Sequence, residues 1–383
     1  MPHHNTVLHD LVKHLPWARF AALVERHGAD ADVTLSSKSH LLALLYAQLS
    51  GADSLRAIAE GTASHAARFY HLGAAPVKRS TLADANRYRP AALFSDLLSA
   101  LMAQAHRGLR RTMDGSLRLI DSTSVRLSAF SASWAQFSTG VCGAKAHVVY
   151  DPAADVPVYA AVSPSKVNDI TAAQAMPIEP GATYVFDLGY YDYAWWAALH
   201  EAGCRIVTRF KTNTPLSVSE TRPVPADGPI LSDRVGTLPK RQAKNRKNPF
   251  AAPVREVQVR IDTGKVLRIL SNDLSAPAEE IADLYKRRWA IELFFRWVKQ
   301  TLKIRKFLGT SENAVRTQIA VALIAFVLLR LAHATQSAVT SPLAFARLLG
   351  ANLMQRRRID ELLRPPPKPR RDPAQFEFPG LTA

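Results

Sequence analysis

Cysteine is scarce: Cys142 and Cys204 are the only two in 383 residues. Two cysteines cannot build a disulfide framework or a zinc finger. They read as small buried apolar groups of a chain kept in a reducing compartment. The opening stretch MPHHNTVLHDLVKHLPW lacks the apolar core of a signal peptide. No apolar run is long. Ile319 to Leu329, with Arg316 and Arg330 near its ends, falls short of the roughly 30 Å of hydrocarbon in a bilayer. Internal repeats are absent. Acids are outnumbered, 32 Asp and Glu against 49 Lys and Arg, a net charge of +17. That balance excludes a cationic ligand and points to a polyanionic partner, most often nucleic acid. The expectation is a cytoplasmic protein that spans no membrane. Its apolar fraction of 48% allows a full core, and its length suits two or three domains.

Four textures follow along the chain. Residues 1–112 read as a helical, DNA-binding domain. Leu41 to Leu49 follows a Ser-rich start and stops at Ser50-Gly51-Ala52-Asp53. Ser54 to Glu60, a Gly61-Thr62 turn and Ala66 to Leu72 are compatible with a helix-turn-helix or with plain helical packing. Pro76 to Arg89 carries Lys78, Arg79, Arg87 and Arg89, and a last helix begins at Ala91. Residues 113–335 read as an α/β catalytic domain. Its strands are expected at Leu117 to Val125, Ala146 to Tyr150, Val156 to Val162, Thr183 to Phe186 and Arg205 to Phe210, with a helix over Tyr193 to Ala202. Within it, residues 212–272 are Pro-rich and strand-like, a β insertion. Lys240, Arg241, Lys244, Arg246 and Lys247 cluster there with no acid between Asp233 and Glu256. Such a cluster is either a solvated loop or a contact for something anionic. Helix returns at Pro277 and runs to Thr335 with a break at Gly309. Residues 336–383 read as a helical segment and a Pro-rich basic tail, PPPKPRRDP.

Three acids stand out. Asp121 ends the run Leu117 to Ile120, and Asp187 ends Tyr184 to Phe186. An acid directly after a buried strand sits at the sheet edge where α/β sites form. Each taken alone could equally be a turn acid. Asp114 and Asp151 are neighbouring candidates that read as turn residues. Glu292 has the more specific setting. At about 100° per residue, Tyr285, Arg288, Glu292 and Lys299 fall within roughly 60° of helical arc, and Arg296 and Lys303 join that stripe. Ile291, Phe294, Phe295, Val298 and Leu302 supply a face to bury. One carboxylate among several cations suits a metal-dependent phosphodiester site.

The spacing Tyr285-x2-Arg288-x3-Glu292-x6-Lys299 resembles the signature of the YREK insertion-sequence transposases, a branch of the DDE recombinases also called insertion-sequence family four. Ile120-Asp121-Ser122-Thr123 resembles their first-acid motif. Phe186-Asp187-Leu188-Gly189-Tyr190 resembles their second. Tyr70 to Gly73 and Val77 to Asn86 resemble the amino-terminal region of one subgroup. The likeness covers roughly residues 1 to 335.

The resemblance implies a ribonuclease-H-like catalytic domain with a β insertion between the second Asp and the Glu. It implies two Mg²⁺ ions, replaceable by Mn²⁺, held by Asp121, Asp187 and Glu292. Tyr285, Arg288 and Lys299 would hold phosphates of the transposon-end strand. Terminal inverted repeats and target DNA would be the partners of a homodimer that cleaves and transfers strands. In well-known cut-and-paste members a Trp on the insertion stacks on a flipped base. None of the six tryptophans here lies in the insertion, so Phe250 is the expected substitute. Two other readings stay open: a nuclease of the same fold without strand transfer, and an inactive DNA-binding relative.

Overall fold

Helices come first. The computed structural model describes residues 6–31, 33–110, 116–241, 247–301 and 307–364. The helices before the sheet are α1 (Val7–Val12), α2 (Trp17–Arg26), α3 (Ser37–Ser50), α4 (Leu55–Ser64), α5 (Ala66–His71), α6 (Arg79–Tyr88) and α7 (Ala91–Leu109). Start and stop chemistry is local. Ser36 and Ser54 cap α3 and α4 through their hydroxyls. Gly51, at φ 78°, ends α3 in the left-handed region that favours glycine.

The expected turn at Gly61-Thr62 is not there. α4 runs through it and breaks only at His65, leaving α5 a near-continuation. Gly61 is used for close approach instead. The Tyr46 ring lies against its Cα, with the hydroxyl 2.5 Å from where a Cβ would sit. Both α3 and α6 pack on α4.

Then come β1 (Leu117–Leu127), the short α8 (Ala132–Ala135), β2 (Gln136–Ser138), β3 (Val141–Asp151), β4 (Val156–Pro164), α9 (Asp169–Gln174), β5 (Thr183–Phe186), α10 (Tyr193–Glu201) and β6 (Arg205–Arg209). The Pro-rich stretch supplies β7 (Ser217–Arg222), β8 (Ile230–Thr237), β9 (Val254–Arg260) and β10 (Val266–Ser271). All ten strands form one sheet, ordered β2-β3-β1-β5-β6-β10-β9-β8-β7, with β4 also on β3. The segment expected as an insertion therefore extends the main sheet through β10, which pairs with β6. β5 runs parallel to β1 and β6, and the other pairings are antiparallel.

Alternation along the strands makes two cores. Leu119, Val185, Val207 and Ile269 face one side with α11 (Ala278–Arg287) and α12 (Trp289–Thr301). Ile120, Tyr184, Phe186 and Ile206 face the other with Trp195, Trp196 and Leu199 of α10. The helix expected from Pro277 is broken at Arg288, whose N–H bonds back to Tyr285 in a tighter turn.

α13 (Glu312–Ala334) is apolar on every side and packs on α7, α3, α6, β4 and α14 (Pro342–Asn352). Length and composition alone would let it cross a bilayer, yet Ile319 through Leu329 are all buried in protein. A helix hydrophobic all round belongs in a core. The first core thus joins α1–α7, α12, α13, α14 and one face of the sheet. The short α15 (Ile359–Leu362) closes against α1.

Candidate active site

Register places the first two acids side by side. Leu119 of β1 pairs in parallel with Val185 of β5. Two residues further along come Asp121, within β1, and Asp187, just past the end of β5 in extended backbone, on the same face by the period-two rule. Each carboxylate is pinned by a backbone N–H at 2.8 Å, Asp121 by that of Ser122 and Asp187 by that of Gly189. Glu292 arrives from the first turn of α12, which packs across β1. At the α11–α12 junction, Arg288 puts Nη2 2.6 Å from Glu292 Oε1 and Nη1 3.9 Å from Asp121 Oδ2. Its guanidinium lies over the buried Tyr285 ring, 5.6 Å from the centroid.

Electrostatics mark the cluster. Burial, with the charges of Asp187 and Glu292, pushes the Asp121 carboxyl up to about 6, while the Ser122 N–H and Arg288 oppose that rise. Among the described residues no three acid, His or Cys side chains are drawn together closely enough to hold a metal ion. Asp121, Asp187 and Glu292 offer carboxylate oxygens alone, a donor chemistry that suits a hard divalent cation.

The rest of the stripe divides. Lys299 lines a narrow gap between α12 and β1 with Thr123, Val125 and Phe295. Arg296 is exposed and lies over the ring of Trp289, itself half-exposed. Lys303 lies outside the described residues. In the loop between β8 and β9, Lys240, Arg241 and Lys247 are exposed, and Arg241 and Lys247 pair as an antiparallel bridge. Lys244 and Arg246 lie outside the described residues. Phe250 is no stacking platform. It is 4% exposed and packs on His200 in the second core. An exposed aromatic on α12 itself is Trp289, three residues before Glu292.

Sequence reasoning passed over Asp169. Its Oδ1 accepts from the Ser122 hydroxyl at 2.7 Å and from Lys145 Nζ at 3.1 Å. Its Oδ2 and Asp187 Oδ1 lie 3.4 and 3.0 Å from the point where a Gly189 Cβ would sit. Tyr190, 1% exposed, places its hydroxyl in this region beside Ser122. Burial, reinforced by Asp121, Asp169 and Asp187, raises the pKa of that phenol. Asp169 opens a helix and so reads as an ordinary first-turn acid.

Residues 112–328 match the family model described as the transposase DDE domain. The chain belongs to the DDE transposase family. Among its relatives, a transposase of Sinorhizobium fredii designated y4zB is 42% identical over 307 residues, 78% of this chain and 85% of that protein. A protein of Geobacillus stearothermophilus, named as the transposase for insertion sequence element IS5377, is 31% identical over 66% of each chain. Residues 3–75 of this transposase match a domain of unknown function, DUF4372. The piggyBac transposase in a synaptic complex with hairpin DNA is a distant structural likeness. It shares 12% identity at a TM-score of 0.44, over 94% of this chain and 80% of that one.

Proposed function

We propose that this transposase is a metal-dependent DNA enzyme of the YREK type, which binds transposon-end DNA, hydrolyses phosphodiester bonds there and transfers the freed strand to target DNA. The observation that carries the reading is Arg288 reaching both Glu292 and Asp121, with Asp187 and Glu292 within electrostatic reach of Asp121. The strand order β4-β3-β1-β5-β6, with β3 antiparallel to its neighbours, supports a ribonuclease-H-like core.

Asp121, Asp187 and Glu292 would hold two Mg²⁺ or Mn²⁺ ions. When bound, these supply Lewis acidity and charge neutralisation for in-line displacement at phosphorus. The chain's own groups do the rest. Arg288 can fork onto two phosphate oxygens, and Lys299 offers a point charge along the same helix. Tyr285 backs the guanidinium and fixes its plane. Once phosphate and cations share the site, Arg288 can exchange Glu292 for the substrate. Trp289, exposed on the same helix as Glu292, would stack on a base of the bound strand. Terminal inverted repeats and target DNA are the partners, bound by a homodimer because two ends must be paired, in the cytoplasm at the nucleoid.

Two assays test this. Supercoiled plasmid is incubated with the protein in Mg²⁺, Mn²⁺ or Ca²⁺, and nicking is expected with the first two only. Joining of a pre-cut end to a target plasmid separates transfer from simple hydrolysis. Absence of nicking by a folded protein in both Mg²⁺ and Mn²⁺ removes the catalytic reading, and nicking without joining leaves a nuclease.

A further inference from the structure

We infer that α6 is the helix that enters the major groove of end DNA, with Arg79, Asp84 and Arg87 addressing base edges. The inference rests on the DNA-acting reading above and adds where sequence is read.

α6 has two unlike faces. Leu82 and Asn86 turn inward at 0% and 4% exposure. Arg79, Ser80, Asp84, Arg87 and Tyr88 are exposed, and Lys78 precedes them at the N-cap, also exposed. All six carry hydrogen-bonding groups. Among the described residues, no acid forms an ion pair with Lys78, Arg79 or Arg87. About half of the other described arginines pair with acids or carbonyls, whereas all three cations here lack such a partner among the described residues, and three uncompensated cations on one short face seek an external anion.

The contrast with Arg89 sharpens this. It belongs to the same basic run but is 5% exposed, donating to the carbonyls of Ala29 and Leu35 and to His40 Nδ1. The fold therefore sorts one run of bases into a structural residue and an outward set.

Shape agrees. Ten residues make a helix of about 15 Å, and the major groove is about 12 Å wide. The mount is rigid. Val77 N–H donates to the Thr62 hydroxyl as the chain enters α6. Asn86 Oδ1 accepts from His40 Nε2 at 2.7 Å. Asn313, at the start of α13, donates to the carbonyls of Asn86 and Arg89. A reading helix held this way meets DNA without reorganising. Asp84 is the single acid on the face. It would repel phosphate, but it can accept from the amino group of cytosine in the groove. Its place among the cations therefore assigns it discrimination rather than affinity.

The test uses the full chain and a pool of duplexes with a randomised core, through rounds of selection. The unaltered protein should enrich one motif. Arg79→Ala and Arg87→Ala should each cut preference for that motif over the random pool by about tenfold. Arg87→Lys keeps the charge and loses the fork, so it should retain affinity for the random pool and still lose the preference. Asp84→Asn should change the preferred base at one position. Melting temperatures taken alongside exclude unfolding as the cause. If Arg79→Ala and Arg87→Ala, both folded, enrich the same motif as strongly as the unaltered protein, or if the unaltered protein enriches none, α6 is not the reader. Nicking by the unaltered protein, scored separately, decides the parent reading, so the two can fail independently.

Discussion

Acids fare differently in two regions of the sheet, its extension and the β1–β5 pair. In the extension, buried carboxylates meet arginines. Asp233 holds Arg255 at 2.6 Å, and Glu256, fully buried, takes Arg234 at 3.0 Å and Arg268 at 2.6 Å. Burial alone would raise the Glu256 carboxyl, but bonds from Arg268 and Gln258 win and hold it below its usual range. Nearby, Asp273 is drawn down to about 2. Burial is outweighed there by N–H groups of Ala276 and Ser275 and by Arg205. At the β1–β5 edge the balance reverses. Burial raises the Asp121 carboxyl, two carboxylates within electrostatic reach add to that against one arginine, and it rises to about 6. Neutralised acids hold strands together. A surplus of negative charge is destabilising, and a fold keeps it where a cation or a reacting group is to arrive.

Breaking the surplus region should affect chemistry most. Asp121→Asn is expected to reduce plasmid nicking to background while leaving the melting temperature unchanged or higher, because like-charge repulsion falls. A large drop in melting temperature would move Asp121 to the structural class.

Breaking the neutralised region should affect folding. Arg255→Ala strands Asp233, and about 3 to 5 kcal/mol of stability should go, read by urea unfolding. Arg118→Ala should behave alike. This arginine is 1% exposed, grips Asp151 at 2.7 Å and Glu179 through both oxygens, and His106 completes the set at 2.8 Å from Asp151. Loss of less than about 1 kcal/mol in either would remove the contrast.

A third region sharpens the comparison by pH. His40 is fully buried, with Nδ1 accepting from Arg89 and Nε2 donating to Asn86. Burial, with the Arg89 charge, lowers its pKa from 6.5 to about 3. The unfolded chain therefore binds a proton that the folded chain refuses. Stability is intact above about pH 6.5 and falls toward pH 3 by about 1.4 kcal/mol per unit. His40→Gln should remove that share of the slope, measured by urea unfolding at pH 7, 6, 5 and 4. An unchanged slope would mean that the imidazole titrates freely.

The smallest effect is expected at the loop between β8 and β9. Lys240, Arg241 and Lys247 changed together to Ala should flatten the log-log salt dependence of DNA binding by about 0.9 per lost phosphate contact. Stability should not move. An unaltered salt slope would return these side chains to solvent.

Much of the fold was legible where the signal is local. Strand runs ending in Asp121 and Asp187, and the stripe of Tyr285, Arg288, Glu292 and Lys299, are written in short stretches. The structure sets Arg288 between Glu292 and Asp121 and leaves Arg296 on an outer face. What stayed illegible depends on distant partners. Gly61 looked like a turn because the Tyr46 ring that needs the space is fifteen residues away. Phe250, beside basic residues, looked exposed until the second core closed over it. Asp169 gains its place only when α9 folds against β3 and the Ser122 hydroxyl reaches it. Arg118, inside an apolar strand, gave no hint that Asp151 and Glu179 would enclose it.

The all-round burial of α13 has a consequence in time. The helices through α7 leave the ribosome ~200 residues before α13 does, and at 5 to 20 residues per second that is a wait of roughly ten to forty seconds. Through it, the faces of α3 and α7 that will meet α13 have no partner. A nascent chain stalled before residue 312 should therefore be cut readily by protease within α3 and α7 and bind chaperone, and both should cease once residue 334 has emerged. The amino-terminal helices are made first and finished among the last.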